Sequence, residues 1–266
     1  MNLTQSTPLI YLRQFGQKNY LEYLRLLAYY GSRKRYAAHT VNFLGYHISV
    51  TDCLSFIFQF KDIFTKESYK FEAASESPII FDCGANIGIS CIYFKHLYPK
   101  ARIIAFEADP AIAKLLESNL QQNKFSDIIV VPKAVWIHQE GVSFIADGAD
   151  SGSIKEGIGN IHVPTARLKD YLSSSSLIDF LKIDIEGAEC AVIQDCANVL
   201  KNVQNLFIEY HSWRHQKQEL DQLLKVISNA GFRYYLEPVT KIVHPLFRRD
   251  QLQKMDIQIN IFASRI

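Results

Sequence analysis

The 266 residues of this chain are enough for one large α/β domain with an appendage, or for two small domains. The hydrophobic fraction of 48% and the charged fraction of 21% are typical of a globular protein and exclude a disordered one. A net charge of +2 gives no general reason to expect nucleic acid or an acidic partner.

The cysteines and the N-terminal sequence bear on the cellular compartment. The five cysteines show neither a CxxC motif nor a metal-ligand spacing, which favours reduced thiols in the core over a disulfide framework. The N-terminus lacks a basic region followed by an apolar stretch, so no signal peptide is expected. No run approaches the roughly 18 apolar residues of a membrane span. We therefore expect a cytoplasmic protein that does not cross a membrane.

Residues 1–75 predict an N-terminal extension that is distinct from the rest. It contains a helix that ends near Gly31, a strand pair or a strand bent at Gly45, and a second helix in SFIFQFKDIFTKE. Residues 73–78 form a linker. The extension is rich in Lys and Arg, which predicts either a solvated face or a surface for a carrier, an anionic glycan precursor or another subunit. If the partner is a second copy of this chain, the protein is a homo-oligomer.

Residues 76–266 alternate between strand-like and helix-like segments. Strands are predicted in PIIFDC, ARIIAFE, DIIVVPKAV, SLIDFLKID and NVQNLFIEY, and FRYYLEP and DIQINIFAS form a final pair. An insertion with short strands precedes the fourth of them. Nearly continuous apolar strands between helices indicate a parallel sheet covered on both faces. Such a doubly wound fold binds its ligand beyond the carboxyl ends of the strands.

The loop after the first of these strands, DCGANIG, has the features of a cofactor site. Gly84 permits a positive φ and a close approach by a ligand, and Gly88 lets the next helix pack tightly. Asn86 stands where a dinucleotide fingerprint requires its middle glycine. Asp82 suits a ligand with a cation or an amino group better than a pyrophosphate. Tight packing alone could also explain the two glycines.

The second strand ends in Glu107, which is followed by Ala108. A carboxylate at this position can accept both hydroxyl groups of a ribose. A ligand with a ribose, a cationic amino-acid tail and no phosphates is S-adenosylmethionine. Asp109 is expected to cap the helix that starts at Pro110 rather than to contact a ligand.

Together these segments resemble the FkbM family of S-adenosylmethionine-dependent methyltransferases. The resemblance spans roughly residues 40 to 265 and rests on FDCGANIGIS, IIAFEADP, VVPKAVW, SGSI, FLKIDIEGAE and FIEYH. It implies a class I methyltransferase fold, an α/β Rossmann-like, seven-stranded and mostly parallel sheet with an antiparallel last strand inserted beside the sixth. It also implies methylation of a hydroxyl on a sugar, glycan or natural product.

Two further parts of the ligand site are assigned less directly. Ala134 ends the predicted third strand, where a backbone amide usually meets the edge of a base, and is assigned to the adenine pocket. The SGSI loop, residues 151–154, could close over the donor or the acceptor, or could be an ordinary turn.

The ends of the fourth and fifth strands carry the candidate catalytic residues. Asp184 ends the fourth strand, and Glu209 and His211 end the fifth, so the three side chains could converge. In one mechanism His211 is a general base and Asp184 orients it or the acceptor. In the other, Asp184, Glu209 and His211 bind Mg²⁺ or Mn²⁺, which lowers the pKa of the acceptor hydroxyl. Glu186 and Glu189 are expected in the first turn of the next helix, where acids stabilise the helix dipole.

The leading interpretation is an O-methyltransferase with a small-molecule or glycan acceptor. One alternative is a nicotinamide-dependent dehydrogenase, which the missing glycine disfavours. The other is a non-catalytic subunit that binds S-adenosylmethionine. A nucleic-acid methyltransferase is not expected, because the chain has no N/D-P-P-Y motif and no basic stripe in its catalytic half.

Overall fold

The N-terminal extension forms a helix, a β-hairpin and a second helix. The computed structural model describes residues 17–145, 153–154, 161–214, 216–239, 246–247 and 255–265. The extension contains helix α1 (Gln17–Tyr30), strands β1 (His39–Phe43) and β2 (Tyr46–Val50), helix α2 (Cys53–Phe60) and a π-helical turn (Lys61–Thr65). Leu44 and Gly45 both have positive φ, so the two predicted strands are joined by a tight turn.

The elements of the remaining chain follow the predicted alternation. The first half contains β3 (Ile79–Cys83), α3 (Ile89–Leu97), β4 (Arg102–Phe106), α4 (Pro110–Gln122), β5 (Ile129–Val131), β6 (Ala134–Trp136), β7 (Val142–Ile145), β8 (Ser153–Ile154), β9 (Ile161–Val163) and β10 (Thr165–Arg167). The second half contains α5 (Leu168–Ser173), β11 (Ile178–Ile183), α6 (Glu189–Asp195), a 3₁₀ turn (Leu200–Asn202), β12 (Val203–Trp213), α7 (Leu220–Asn229), β13 (Arg233–Pro238) and β14 (Met255–Ser264).

Seven of these strands form the central sheet, in the order β13-β14-β12-β11-β3-β4-β5. The five strands from β12 to β5 are parallel, whereas β14 is antiparallel to both β12 and β13. The last strand is therefore inserted between the fifth and the sixth strands of the sheet. This confirms the predicted class I methyltransferase fold.

The predicted third strand, DIIVVPKAV, is divided in two. Because Pro132 has no backbone N–H to donate, the sheet ladder ends at Val131. The chain then starts β6, which leaves the central sheet and pairs in parallel with β10. The insertion adds a three-stranded sheet of β8, β7 and β9.

Asn119 of α4 and Asn123, which directly follows this helix, attach the hairpin of the extension to the sheet domain. The fully buried Asn119 accepts a hydrogen bond from the Ser49 N–H and donates to the carbonyl oxygens of Ser49 and Ile87. One turn later, Asn123 binds both the N–H and the carbonyl of His47 in the same way, but at the surface. Both amides therefore act as partners for the outer edge of β2.

The apolar core continues from the extension into the sheet domain. Buried residues of the extension, such as Phe43 and Phe64, belong to the same cluster as Ile92 and Phe94 of α3. The core is therefore continuous across the predicted boundary near residue 75, where the amino-acid composition changes. The division of the chain into two domains stays a prediction. No helix within the described ranges is long and apolar enough to cross a membrane.

We expect the substitution Asn119→Ala to lower the free energy of unfolding by about 2–3 kcal/mol, because it leaves buried backbone groups of Ser49 and Ile87 without partners. The matched substitution Asn123→Ala should cost less than about 1 kcal/mol, since water replaces its bonds at the surface. Urea unfolding of both variants measures the difference. Equal losses would show that the buried amide does not hold the extension.

Candidate active site

A cavity of ≈ 360 Å³ opens at the carboxyl ends of the parallel strands. Its size is typical of small-ligand sites. The cavity is lined by the loop DCGANIG (residues 82–88), here named the donor loop because it is expected to bind the methyl donor, and by the residues that follow β4 and β11. Glu209 of β12 and the second helix of the extension with its π-helical turn complete the lining. Of the residues predicted for the site, those that line it are Gly84, Asn86, Glu107, Ala108, Ala134, Asp184 and Glu209. Asp82, Gly88 and His211 lie behind its wall.

Three residues of the donor loop, Gly84, Asn86 and Gly88, have positive φ angles. Gly84 has φ +86°, and a Cβ at this position would lie 1.8 Å from the Asp184 carbonyl oxygen. Position 84 therefore requires a glycine because the backbone that follows β11 comes very close to it. Gly88 has φ +96° and packs against Leu116 of α4, as the prediction of tight helix packing requires. Asn86 has φ +47°, a conformation that asparagine tolerates better than most residues.

Glu107 is fixed at the end of β4 by two backbone donors. One carboxylate oxygen accepts a hydrogen bond from the Asn86 N–H and the other from the Asp109 N–H, both at 2.9 Å. Burial raises the pKa of Glu107 to about 7, although these two hydrogen bonds oppose the shift. Asp109 caps α4 as predicted, because its side chain accepts from the Ala111 and Ile112 N–H groups.

Lys182, which no motif indicated, lies between two of the predicted acids. Its ammonium is 3.3 Å from a carboxylate oxygen of Asp82 and 3.3 Å from one of Asp184, and it donates to the Gly84 carbonyl at 2.8 Å. Burial alone would lower the pKa of Lys182, but the carboxylates of Asp184 and Asp82 outweigh it and hold the pKa well above its usual value. The sequence did contain a signal for these ion pairs, namely a lysine inside the apolar strand FLKID. Because a lysine is rarely buried unless it is paired, acidic partners could have been expected.

Asp82 is fully buried and already has partners. Besides Lys182, it accepts a hydrogen bond from the Ser90 hydroxyl at 2.5 Å. The structure thus places Asp82 as a support for the donor loop and the Lys182 ammonium rather than on the cavity surface. The expectation that it directly meets a cationic group of the ligand does not match this position.

His211 is enclosed by carboxylates on three sides. Its Nδ1 lies 3.0 Å from an Oε of the buried Glu189, and its Nε2 lies 3.7 Å from Glu186 and 3.8 Å from Glu209. Glu189 also accepts hydrogen bonds from the Ile185 and Gly187 N–H groups and so ties His211 to the turn after β11. His211 stands within β12, two residues after Glu209, so both side chains point to one side of the strand.

These surroundings determine the charge of the cluster. Burial alone would lower the pKa of His211, but Glu189, Glu186 and Asp184 raise it to about 10. Burial, together with Asp184, raises the pKa of Glu209 to about 7, and burial raises that of Glu186 to about 8. These carboxylates therefore favour the imidazolium form of His211, which has no free lone pair, whereas burial makes Glu209 and Glu186 weaker acids than usual.

Glu186 differs from its predicted position in a helical first turn. It lies before α6 with φ +56°, and its carboxylate belongs to the cluster rather than to the helix terminus. Side-chain atoms of Asp184, Glu186 and His211 lie within 4.8 Å of one another, close enough to share one metal ion. In this group Glu186 takes the place of Glu209 in the predicted ligand set of Asp184, Glu209 and His211.

The expectation for the Ala134 amide differs from the structure, whereas that for the SGSI loop stays a prediction. Ala134 lines the cavity at the start of β6, but its N–H donates to the Pro164 carbonyl and is not available to a base. Of the SGSI loop, residues 151–152 lie outside the described residues, and Ser153 and Ile154 form β8, whose side chains are not described.

We expect Lys182→Met to lower the free energy of unfolding by about 3–5 kcal/mol, because it leaves two facing carboxylates unpaired. The double variant Lys182→Met with Asp82→Asn should recover part of this loss. Lys95→Met is the matched control: Lys95 is equally buried, but its carboxylate partner, Asp127, is exposed. Calorimetric unfolding of the three variants and the wild type measures these losses. A loss no larger than that of Lys95→Met would contradict this assignment.

Comparison with known proteins finds relatives that are named methyltransferases. The chain is 28% identical over 179 residues to Methyltransferase sdnD of Sordaria araneosa, which covers 52% of this chain and 67% of that protein. It is 29% identical over 153 residues to 2-O-methyltransferase NoeI of Sinorhizobium fredii, which covers 50% of this chain and 63% of that protein. The chain thus spans about two thirds of the length of these relatives.

Among solved structures, the methyltransferase FkbM of Methylobacillus flagellatus aligns with 91% of this chain and 58% of its own, at 14% identity and a TM-score of 0.48. Residues 82–234, more than half of the chain, match the methyltransferase FkbM domain. This range includes the donor loop, Glu107, Lys182 and the carboxylate–histidine cluster. The protein is a methyltransferase, and it belongs to the FkbM family.

Proposed function

We propose that this chain transfers a methyl group from S-adenosylmethionine to a hydroxyl of a sugar, glycan or natural product. One observation carries the proposal: Glu107 and the donor loop line the same cavity as Asp184 and Glu209. A methyl donor bound by the first group would lie beside carboxylates that can receive the proton of a hydroxyl. The relative named as a 2-O-methyltransferase supports oxygen as the acceptor atom.

The residues around Glu107 fit S-adenosylmethionine. Each Glu107 oxygen accepts one backbone N–H, which leaves lone pairs for the two hydroxyls of a ribose. Acidic groups along the cavity complement the positive charge of a sulfonium and an amino group. When bound, S-adenosylmethionine supplies an electrophilic methyl group together with its leaving group. The protein then has mainly to hold the two reactants and accept a proton.

The first test is binding of the demethylated product, S-adenosylhomocysteine, by calorimetry at pH 6 and pH 8. Because the ligand binds ionised Glu107 and the pKa of Glu107 is about 7, we expect about 10-fold weaker binding at pH 6. Glu107→Gln should bind weakly at both pH values and lose this slope. NAD should not bind.

Glu209→Gln is the matched control, since burial and Asp184 raise the pKa of Glu209 to about 7 as well, and Glu209 lines the same cavity from a different strand. This variant should keep the pH slope of the wild type. If Glu209→Gln rather than Glu107→Gln removes the slope, the ribose site is misplaced. Binding of NAD without binding of S-adenosylhomocysteine would overturn the proposed function.

The proton of the acceptor is best received by Glu209. Glu209 lines the cavity and accepts a hydrogen bond from Gln258, whereas His211 lies behind the wall with its Nδ1 against Glu189. In this assignment His211 remains protonated and offsets the charge of the surrounding carboxylates. Asp184, held by Lys182, is left to accept a hydrogen bond from the acceptor. The sequence had led to His211 as the general base and to Glu209 only as a metal ligand, so the base is now assigned to a different residue.

A divalent cation is the second mechanism, and the short distances among Asp184, Glu186 and His211 favour it. Carboxylates and one imidazole suit Mg²⁺ or Mn²⁺. The Nδ1–Glu189 contact resembles the carboxylate partner that orients a metal-binding histidine. A bound cation would replace the imidazolium proton as the positive charge of the cluster.

We expect the rate of methyl transfer to be unchanged by EDTA and to fall by about 10²–10⁴-fold in Glu209→Gln, the range for loss of a general base. Addition of Mg²⁺ or Mn²⁺ after EDTA treatment separates the two mechanisms. Activity that EDTA abolishes and Mn²⁺ restores, together with a Mn²⁺ paramagnetic signal lost in Glu186→Gln, would replace the base mechanism with the metal mechanism.

We also propose a reducing, cytoplasmic location. All five cysteines are free and buried. Unpaired thiols in the core are typical of proteins that work in a reducing compartment.

A further inference from the structure

The second helix of the extension presents one face to the active-site cavity. The residues that share this face are Ser55, Phe58, Gln59, Asp62 and Ile63. They recur every three or four positions, which places them along one side of a helix. Phe56, Phe60 and Phe64 point away from this side and are buried in the core. The aromatic side holds the helix in the core, and the other side faces the cavity. On that side Ile63 is also largely buried, and the Asp62 carboxylate pairs with Lys66 at 2.6 Å.

Phe58 is the most unusual member of this face. It is 51% exposed, although aromatic side chains of the same helix are buried. Gln59 is its neighbour in sequence, and Asp62 lies one turn further on with a half-exposed carboxylate. An aromatic ring with polar neighbours suits a ligand that has an apolar face and a hydroxylated edge.

This face lies outside the elements to which donor binding is assigned. The proposed donor residues belong to the loop after β3 and to the end of β4, and the proton acceptor belongs to β12. The extension therefore supplies a wall that the donor does not require. The π-helical turn at Lys61–Thr65 brings Asp62 and Ile63 onto the cavity, and such turns often occur at functional sites.

The charge of the cavity restricts what this wall can bind. Acidic residues outnumber basic ones among those that line the cavity: Asp62, Glu107, Asp109, Asp184, Glu186 and Glu209 stand against Lys133 and Lys182. Lys66 pairs with Asp62, and burial raises the pKa of Glu107, Glu186 and Glu209, so the excess of negative charge is smaller than the number of acids. The ammonium of Lys182 is already bound by Asp82, Asp184 and the Gly84 carbonyl. A phosphate or carboxylate on the acceptor would therefore face several carboxylates with little compensation, which is a repulsive interaction.

We infer that the face formed by Ser55, Phe58, Gln59, Asp62 and Ile63 is the acceptor wall, and that the acceptor is an uncharged hydroxylated compound rather than an anionic one. This inference rests on the proposed function. It adds the class of substrate and assigns its recognition to the extension.

The charge at this wall can be measured with thiol reagents. The substitution Phe58→Cys places a thiol at the wall, and the native cysteines are all buried. Cationic, neutral and anionic methanethiosulfonates of similar size then report the local potential through their reaction rates. We expect the cationic reagent to react at least about 10-fold faster than the anionic one, with the neutral reagent between them.

Two controls make the comparison specific. The first control is Tyr29→Cys on α1 of the same extension, where Tyr29 is 68% exposed and lies near Arg25. The thiol of this variant should show no preference for the cationic reagent. Adding Asp62→Asn to Phe58→Cys should reduce the preference. Equal rates for the two charged reagents at Phe58→Cys, or a faster anionic reagent, would overturn the exclusion of anions.

A second measurement separates the acceptor wall from the donor site. After Phe58→Cys is modified with the neutral reagent, S-adenosylhomocysteine should bind within about 3-fold of its affinity for the unmodified variant. A loss of 10-fold or more would place this face in the donor site and overturn the assignment. Failure of the wild type to bind S-adenosylhomocysteine would instead overturn the proposed function, whereas the ratio of thiol rates would still report the charge of the wall.

Discussion

The buried ammonium of Lys182 connects the parts of this protein that must be close for methyl transfer. It lies between Asp82 of β3 and Asp184 after β11, and it binds the carbonyl of Gly84 in the donor loop. Two adjacent parallel strands thus end in carboxylates that would repel each other without it. Because one cation serves both, the loop proposed to bind the donor and the acids proposed to face the acceptor are fixed relative to each other.

A second layer of fixed charge surrounds His211. Glu189 holds one nitrogen of the ring, while Glu186 and Glu209 lie near the other. A buried imidazole in such surroundings retains its proton, which makes it a poor base but an effective counter-charge for carboxylates. The same arrangement could hold a metal ion, since a divalent cation satisfies the carboxylates equally well. The choice between proton and metal is therefore a competition for one position.

The extension is part of this site because of where it is attached. Asn119 binds the backbone of β2 inside the protein, and the core continues from Phe43 and Phe64 into α3. This attachment holds the face of α2 that contains Phe58 against the cavity. If that face recognises the acceptor, specificity can change in the extension without disturbing the donor site, since the two are carried by different elements.

The sequence by itself determined the alternation of strands and helices, the order of the sheet through its family resemblance, and the positions of Glu107 and Asp184 at strand ends, because these follow from local periodicity and motifs. Glu209 and His211 were expected at the end of the fifth strand, but β12 continues to Trp213 and includes both. The cap at Asp109 was equally predictable, since it depends on neighbouring residues alone. Only the tertiary structure decided that Asp82 pairs with Lys182, that Ala134 has already donated its N–H, that Glu186 joins the cluster and that α2 lines the cavity. Each of these depends on contacts between segments far apart in the chain, and the charge of a buried group is set by all the neighbours that those contacts bring to it.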